Sequence, residues 1–442
     1  MTDGHIRVMK QSLPAFVEPL VRRYVEDAAF YWAQHDTSAQ STHAGLAALT
    51  RFSHLLRAHL EALGGAGAHA WPHCYEALVR WKKPAEAFVS AWVALSSDEP
   101  AQVEALMKNV RARPQELLRG VISAFAWLPP AAARERVAQW TKPESDNVEQ
   151  VAALRAAAVI GAEVNDAIAQ PLAVLLASTD EHVRAAACRV AAHADDAIAI
   201  LEPMLADPAL AVRAEAAIAL ALAGSVDHGH GVAVLWDCVA SQSSITQTAT
   251  GWFAKKAHRR LARWVRHLAL MDLPGTARAL DELPPESRLT YFAWHGDPGL
   301  LSDVVELMRH PEVDRYAGWV WQTITGVDIA VAGLAEPEQP PEGKAGTPVV
   351  TGPGGEASLA VPDADAIARY PVDWLEPGRR YLAGQPRNRK HALALLMDAP
   401  QAVRSIAAGH LRVSDGERIS VRSCGITQRL SILRHADDEG AQ

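Results

Sequence analysis

Cysteine, surplus positive charge and long apolar runs are all scarce in this sequence, and each shortage removes a class of protein. The four cysteines (Cys74, Cys188, Cys238, Cys424) lie far apart with no CxxC pair. Neither a disulfide framework nor a zinc knuckle follows, and reduced thiols in a cytoplasm-like compartment are expected. No stretch reaches the roughly 18 apolar residues of a membrane helix. The opening MTDGHIRVMKQSLPAF lacks the apolar core of a signal peptide. Lysine and arginine total 43 against 51 acidic residues, a formal charge of −8, whereas a dedicated nucleic-acid binder carries a basic surplus. The GxGxxG, GxxxxGK[ST], HExxH and GxSxG patterns are all missing. No catalytic, metal or cofactor residue is therefore nominated, and a non-enzyme is expected.

What the chain does hold is helix-forming apolar material. Hydrophobic residues make up 49% of its 442 positions, weighted toward Ala and Leu, the strongest helix formers among them. The length suits two or three domains, or one extended array. An array is the better account, because the sequence repeats. Leu154-Arg-Ala-Ala-Ala158, Val183-Arg-Ala-Ala-Ala187 and Val212-Arg-Ala-Glu-Ala216 place Arg155, Arg184 and Arg213 at one fixed spacing of 29 residues. The same shift superposes Leu172 on Leu201, Leu175 on Met204, Leu176 on Leu205 and Ala177 on Ala206.

A unit of that length has room for two helices of about three turns each. Asp146 with Glu149 has the spacing of a capping box, and Asp180 and Asp207 precede the next two Val-Arg phrases as acidic caps. Small alanines behind the arginines let neighbouring helices approach, and leucines fill the layer between units. No unit can bury its own apolar face, so the expected fold is all-α: an α-solenoid of HEAT-like helix pairs.

Beyond these units the pattern blurs. Leu118-Arg-Gly-Val-Ile-Ser-Ala124 resembles a degenerate earlier unit, and Val403-Arg-Ser-Ile-Ala-Ala408 restores the opening phrase late in the chain. Residues 1–112 are helical in pattern without the repeat and are expected to form an N-terminal helical cap domain, with the solenoid over 113–332. Residues 333–365 hold six Pro and six Gly, which predicts a mobile loop or linker. Residues 366–442 then form a C-terminal helical segment, its last stretch mixing strand and helix signals.

The phrases Glu26-Asp-Ala-Ala-Phe-Tyr-Trp32, Arg57-Ala-His-Leu-Glu-Ala-Leu63 and Gly67-Ala-His-Ala-Trp71, with Gly378-Arg-Arg-Tyr-Leu-Ala-Gly-Gln-Pro386 further on, resemble an uncharacterised proteobacterial family of HEAT-like repeat proteins. Ala62 and Glu61 stand where that family has glycine and another acidic residue. Many members are encoded beside type VI secretion components. The resemblance implies an accessory role in assembling or loading a secreted complex, and it implies no reaction. Gly378, Arg380, Tyr381, Gly384 and Pro386 form a family-like motif of unknown role.

Each remaining local feature has an ordinary account beside a functional one. Asp227-His-Gly-His-Gly231 is a polar turn before it is a metal site, since zinc sites declare three or four ligands. In Trp71-Pro-His-Cys74 the thiol has only a chain neighbour as base, which suits a buried Cys better than a nucleophile. His54 and His59 are about 140° apart on a helix and share no face. The repeat arginines suit a structural ladder: Arg155, Arg184 and Arg213 pairing with aspartates of adjacent units.

The segment from Lys255 to His267 is the sharpest candidate. Lys255, Lys256, Arg259, Arg260, Arg263 and Arg266 ride beside an apolar stripe of Phe253, Ala257, Leu261, Trp264, Val265 and Leu268, with no acidic residue between Asp237 and Asp272. This is either the solvated outer face of a solenoid helix or a docking face for an acidic partner. The acidic whole-chain balance favours a protein partner over nucleic acid. The function expected is a non-catalytic protein-binding scaffold or adaptor. Nucleic-acid binding through residues 255–267 is the alternative.

Overall fold

The computed structural model describes residues 17–97, 99–161, 165–224, 228–276, 278–337 and 358–437. Their regular structure is almost wholly helical, and they divide into two compact units. No helix among them is long and apolar enough to cross a membrane.

The first unit takes the described residues of 17–32 and 54–128. Its helices are α1 (Glu18–Ser38), α2 (Leu46–Ala66), α3 (Ala70–Trp81), α4 (Pro84–Ser97), α5 (Pro100–Ala112) and α6 (Pro114–Phe125), the first two continuing into the second unit's residues 33–53. Proline opens α4, α5 and α6, where its missing N–H costs nothing. Val21, Val25, Ala28, Ala29 and Trp32 are buried together along α1. Trp32 stacks on Phe88 at 5.4 Å and donates to the Ser123 hydroxyl at 2.9 Å. α6 packs on α4 so closely that a Cβ on Gly120 would come within 2.7 Å of the Phe88 backbone nitrogen. The expected boundary at 112/113 thus falls between α5 and α6, which pack together inside this unit.

The second unit takes residues 33–53 and the described residues of 129–437. Its helices are α7 (Pro130–Trp140), α8 (Asn147–Ile160), α9 (Leu172–Leu176), α10 (Glu181–Ala191), α11 (Ala197–Leu201), α12 (Leu210–Leu222), α13 (His228–Thr248), α14 (Gly251–Met271), α15 (Pro285–His295), α16 (Leu301–Leu307), α17 (Asp314–Thr325), α18 (Ala364–Arg369), α19 (Arg389–Asp398), α20 (Gln401–Ser414) and α21 (Gly425–Asp437). One two-residue hairpin, β1 (Tyr381–Leu382) with β2 (Gln385–Pro386), interrupts them.

Packing runs from each repeat helix to the next, α8 to α10 to α12, and continues through α13, α14, α15 and α17. This is the all-α, solenoid-like stacking that the 29-residue period predicts. The alanines behind the repeat arginines are fully buried: Ala156, Ala157, Ala186, Ala187, Ala216 and Ala217 each show no exposed surface.

The two helices of a unit are unequal, against the expectation of three turns each. α8, α10 and α12 run 11 to 14 residues. Their partners α9 and α11 have only five, α11 tightening into a 3₁₀ turn over Glu202–Ala206. Proline sets both limits, Pro171 just before α9 and Pro203 within the 3₁₀ turn.

The expected linker falls largely on residues 338–357, outside those described. Its flanks meet, with Ala335 bridging Pro362 antiparallel. The final stretch is helical, as α21. Residues 225–227 are not described, but His228 to His230 open α13 and do not extend a turn.

Candidate functional site

The proposed arginine–aspartate ladder forms at one rung. Arg184 donates through Nε and Nη2 to both carboxylate oxygens of Asp207, at 2.8 and 2.9 Å. Its Nη1 holds the carbonyls of Ser178 and Thr179, and Arg213 repeats that grip on the carbonyls of Asp207 and Pro208. The rung spans 23 residues. The same step from Arg155 reaches Ser178, and from Arg213 it reaches Trp236, so neither has an aspartate to meet. Asp146 and Asp180 instead cap α8 and α10, each accepting two backbone N–H groups, Asp146 within a complete capping box. The ladder expected from spacing is thus two caps and one rung.

A different carboxylate organises the arginines. Glu215 on α12 is 3% exposed. Its Oε1 accepts from Arg189 Nη2 at 2.7 Å and Arg263 Nε at 3.2 Å. Its Oε2 accepts from Arg263 Nη2 at 2.7 Å and Arg189 Nε at 3.0 Å. Four N–H groups fill the four lone-pair positions of the carboxylate. Burial works against the charge on Glu215, but Arg189 and Arg263 outweigh it and hold the carboxyl far below its ordinary range.

Arg155, Arg260 and Lys256 lie within electrostatic reach of this centre, and Glu181 is the other nearby acid. Burial, then the like charge of Arg189, pushes Arg155 down to about 9. Its Nε is buried, and Arg155 has no hydrogen-bond or ion-pair partner among the described residues. Arg260 lies over the ring of Trp264 at 5.7 Å. From α20 and beyond, Arg412 and Arg418 extend the positive field. Burial and the charges of Arg263 and Arg412 push His267 well below its ordinary value, so its imidazole stays neutral.

The six basic residues of α14 therefore do not share one face. Lys255 and Arg259 are exposed, while Lys256 and Arg260 are half-buried. Arg263 turns inward to Glu215. Arg266 lies over Trp294 at 5.6 Å, and both its Nη atoms stand 3.1 Å from Gln40 with the amide oxygen turned toward them. Of the expected apolar stripe, Ala257, Leu261, Trp264, Val265 and Leu268 are buried, but Phe253 is 72% exposed in the first turn.

The Gly378–Pro386 motif closes three helix ends. Ala383 (φ 50°) and Gly384 (φ 76°) form the two-residue turn of the hairpin, both in the left-handed region that such tight turns need. The Ala383 and Gly384 amides donate to the carbonyls of Thr323 and Ile324 at the end of α17. The Tyr381 amide reaches the Gly296 carbonyl at the end of α15. Arg387 donates to Trp294 and Ala293 there, and Arg380 donates to Leu270 near the end of α14. Six carbonyls at or just past the three helix ends are thereby satisfied, at two of the helices by cations at their negative ends. Gly378 donates to the buried Asp297, and Pro386 pairs with Tyr381 across the hairpin. The motif is a structural clasp.

Cys74, Cys188, Cys238 and Cys424 are all buried, and burial pushes the Cys74, Cys188 and Cys238 thiols up. Such thiols are not nucleophiles. His59 stacks on Tyr31 at 5.5 Å, while His54 is exposed.

Sequence reasoning missed Glu215, Arg189 and Arg412. A signal for Glu215 was present: it stands where the two preceding repeats have Ala157 and Ala186, positions that stacking buries. An acid at a buried alanine position demands partners.

No protein-family model matches the chain, and no curated protein matches it. Among solved structures, an engineered protein aligns over 90% of this chain and 94% of its own, at 17% identity and a TM-score of 0.24. A superposition that loose carries neither fold nor function across.

Proposed function

We propose that this chain is a non-catalytic protein-binding scaffold whose second unit docks an acidic partner on the arginine cluster of α8, α10, α12 and α14. One observation carries the reading: Glu215 is saturated by Arg189 and Arg263, and Arg155 and Arg260 stand in its field with no place on that carboxylate. Stacked helices suit such a role because a preformed surface loses little conformational entropy on docking. The sequence resemblance directs the choice of partner toward type VI secretion components, with the scaffold acting in assembly or loading.

The test is co-purification of the full chain with products of adjacent genes, in parallel with a Lys255→Glu, Arg259→Glu, Arg260→Glu variant. Recovery of a secretion component by the parent and its loss from the variant supports the reading. Equal recovery moves the docking surface elsewhere, and no recovery of any secretion component removes the adaptor role. The same cluster supports a second reading, nucleic-acid binding, through the exposed Lys255 and Arg259. Salt-dependent gel shifts abolished by the triple variant would establish it, and flat titrations at low salt would eliminate it.

A further inference from the structure

The surplus charge beside Glu215 is not spread evenly. Each of the cluster's guanidiniums can be asked what neutralises it. Arg189 and Arg263 divide Glu215 between them, and no lone pair of that carboxylate is left for another donor. Arg155 carries the repeat's arginine without the repeat's aspartate, because Ser178 stands at its rung position. Its Nε is shut from solvent with nothing to donate to. Arg260 feels the charges of Glu215 and Glu181 and lies over the face of Trp264, which attracts a cation but accepts none of its N–H groups.

A half-buried guanidinium with unused donors is unfavourable in the free protein and is a ready site for an anion. The neighbouring geometry shows which anion the arrangement suits, because Arg189 and Arg263 already close on a planar carboxylate from two sides.

Resting on the scaffold reading above, we infer that Arg155 and Arg260 form a receptor for a carboxylate on an acidic segment of the partner protein. That carboxylate takes at these two residues the place Glu215 takes at Arg189 and Arg263. Lys256 and the exposed Lys255 and Arg259 on the same helix supply the surrounding positive field, so the segment recognised is rich in Asp and Glu. Guanidinium forks favour this planar, bidentate partner. The overall charge of −8 opposes a long polyanion more than a short acidic segment, which favours peptide over nucleic acid.

The experiment uses the full chain and a fluorescein-labelled hexaglutamate peptide, followed by anisotropy at low and raised salt. Unlabelled hexaglutamate, inorganic phosphate and a single-stranded oligonucleotide serve as competitors. Arg155→Met and Arg260→Met are compared with Lys108→Met, which removes the same charge from an exposed position of the first unit. The expected result is salt-sensitive binding that falls at least about tenfold in each arginine variant and is unchanged in Lys108→Met.

A second readout separates a ligand-binding arginine from a structural one. Arg155→Met removes an unpaired, half-buried charge, so its melting temperature should equal or exceed that of the parent while binding falls. A lowered melting temperature in Arg155→Met, or peptide binding indifferent to both arginine variants, overturns the inference. So does an oligonucleotide or phosphate that displaces the peptide more strongly than unlabelled hexaglutamate does. If the parent still captures a partner after any of these outcomes, the scaffold reading survives and only the carboxylate receptor is lost.

Discussion

Arg184 of one repeat grips Asp207 of the next through two parallel hydrogen bonds, with the carboxylate 7% and the guanidinium 14% accessible. Together with Arg189–Glu215 it joins these two adjacent units side chain to side chain as an ion pair. Burial opposes the charge on Asp207, yet Arg184 and the Ala209 amide keep its carboxyl below the ordinary value. Removing one member of such a pair leaves the other desolvated, at a cost of about 3–5 kcal/mol. Asp207→Ala should therefore destabilise far more than Asp180→Ala, which forfeits a helix cap worth about 1 kcal/mol. Chemical denaturation of both variants checks this. Equal losses would mean that the rung adds nothing beyond capping.

The clasp makes a prediction about backbone. Gly326 ends α17 at φ 74°, and a Cβ there would stand 2.8 Å from the Ala383 carbonyl. Gly378, at φ 82°, faces open space. Gly378→Ala should cost about 1 kcal/mol, the left-handed penalty alone. Gly326→Ala should cost more and displace the hairpin, exposing the Ala383 and Gly384 amides. Hydrogen exchange at those two amides is the measurement, and protection unchanged in Gly326→Ala would show that the hairpin does not depend on the contact.

How much of this was legible beforehand follows from what a period can encode. The 29-residue spacing revealed the stacking and the buried alanines, because stacking imposes the same demand on every unit. It overstated the second helices, since Pro171 and Pro203 shorten them without disturbing the period of the leucines. It also overstated the ladder, because an arginine every 29 residues says nothing about whether residue 178 or 236 is acidic. Glu215, the organiser of the charged cluster, carries no such periodic signal beside the basic run of α14. An acid whose partners come from two other helices has no local spacing to betray it. The hairpin motif was visible as a phrase but not as a clasp, because its partners are backbone carbonyls and carry no sequence signature.

The cysteines offer a test of burial independent of the repeat. With Cys74, Cys188 and Cys238 buried and their thiols pushed above the ordinary value, the thiolate that reacts is nearly absent near pH 8. Under native conditions these three should resist alkylation by iodoacetamide, and all four cysteines should react once the chain is unfolded in denaturant. Mass spectrometry of the alkylated peptides gives the answer. Rapid native labelling of Cys188 in particular would contradict the packing of α10 against α8 and α12.

Glu215 yields the sharpest prediction on pH. Its carboxyl lies far below the ordinary value of 4.5 in the folded chain, whereas in the unfolded chain it titrates normally. A group depressed in this way contributes stability that is fully present above the unfolded value and drains away as pH falls below it. Glu215→Gln leaves Arg189 and Arg263 facing each other without the charge between them, so at pH 7 it should cost about 3–5 kcal/mol. As pH drops from about 5 toward 3 the parent should lose stability faster than the variant, so the gap between their melting temperatures narrows. A gap that stays constant across that range would mean the carboxylate is not ionised in the native cluster. The four hydrogen bonds on it would then need a different donor assignment.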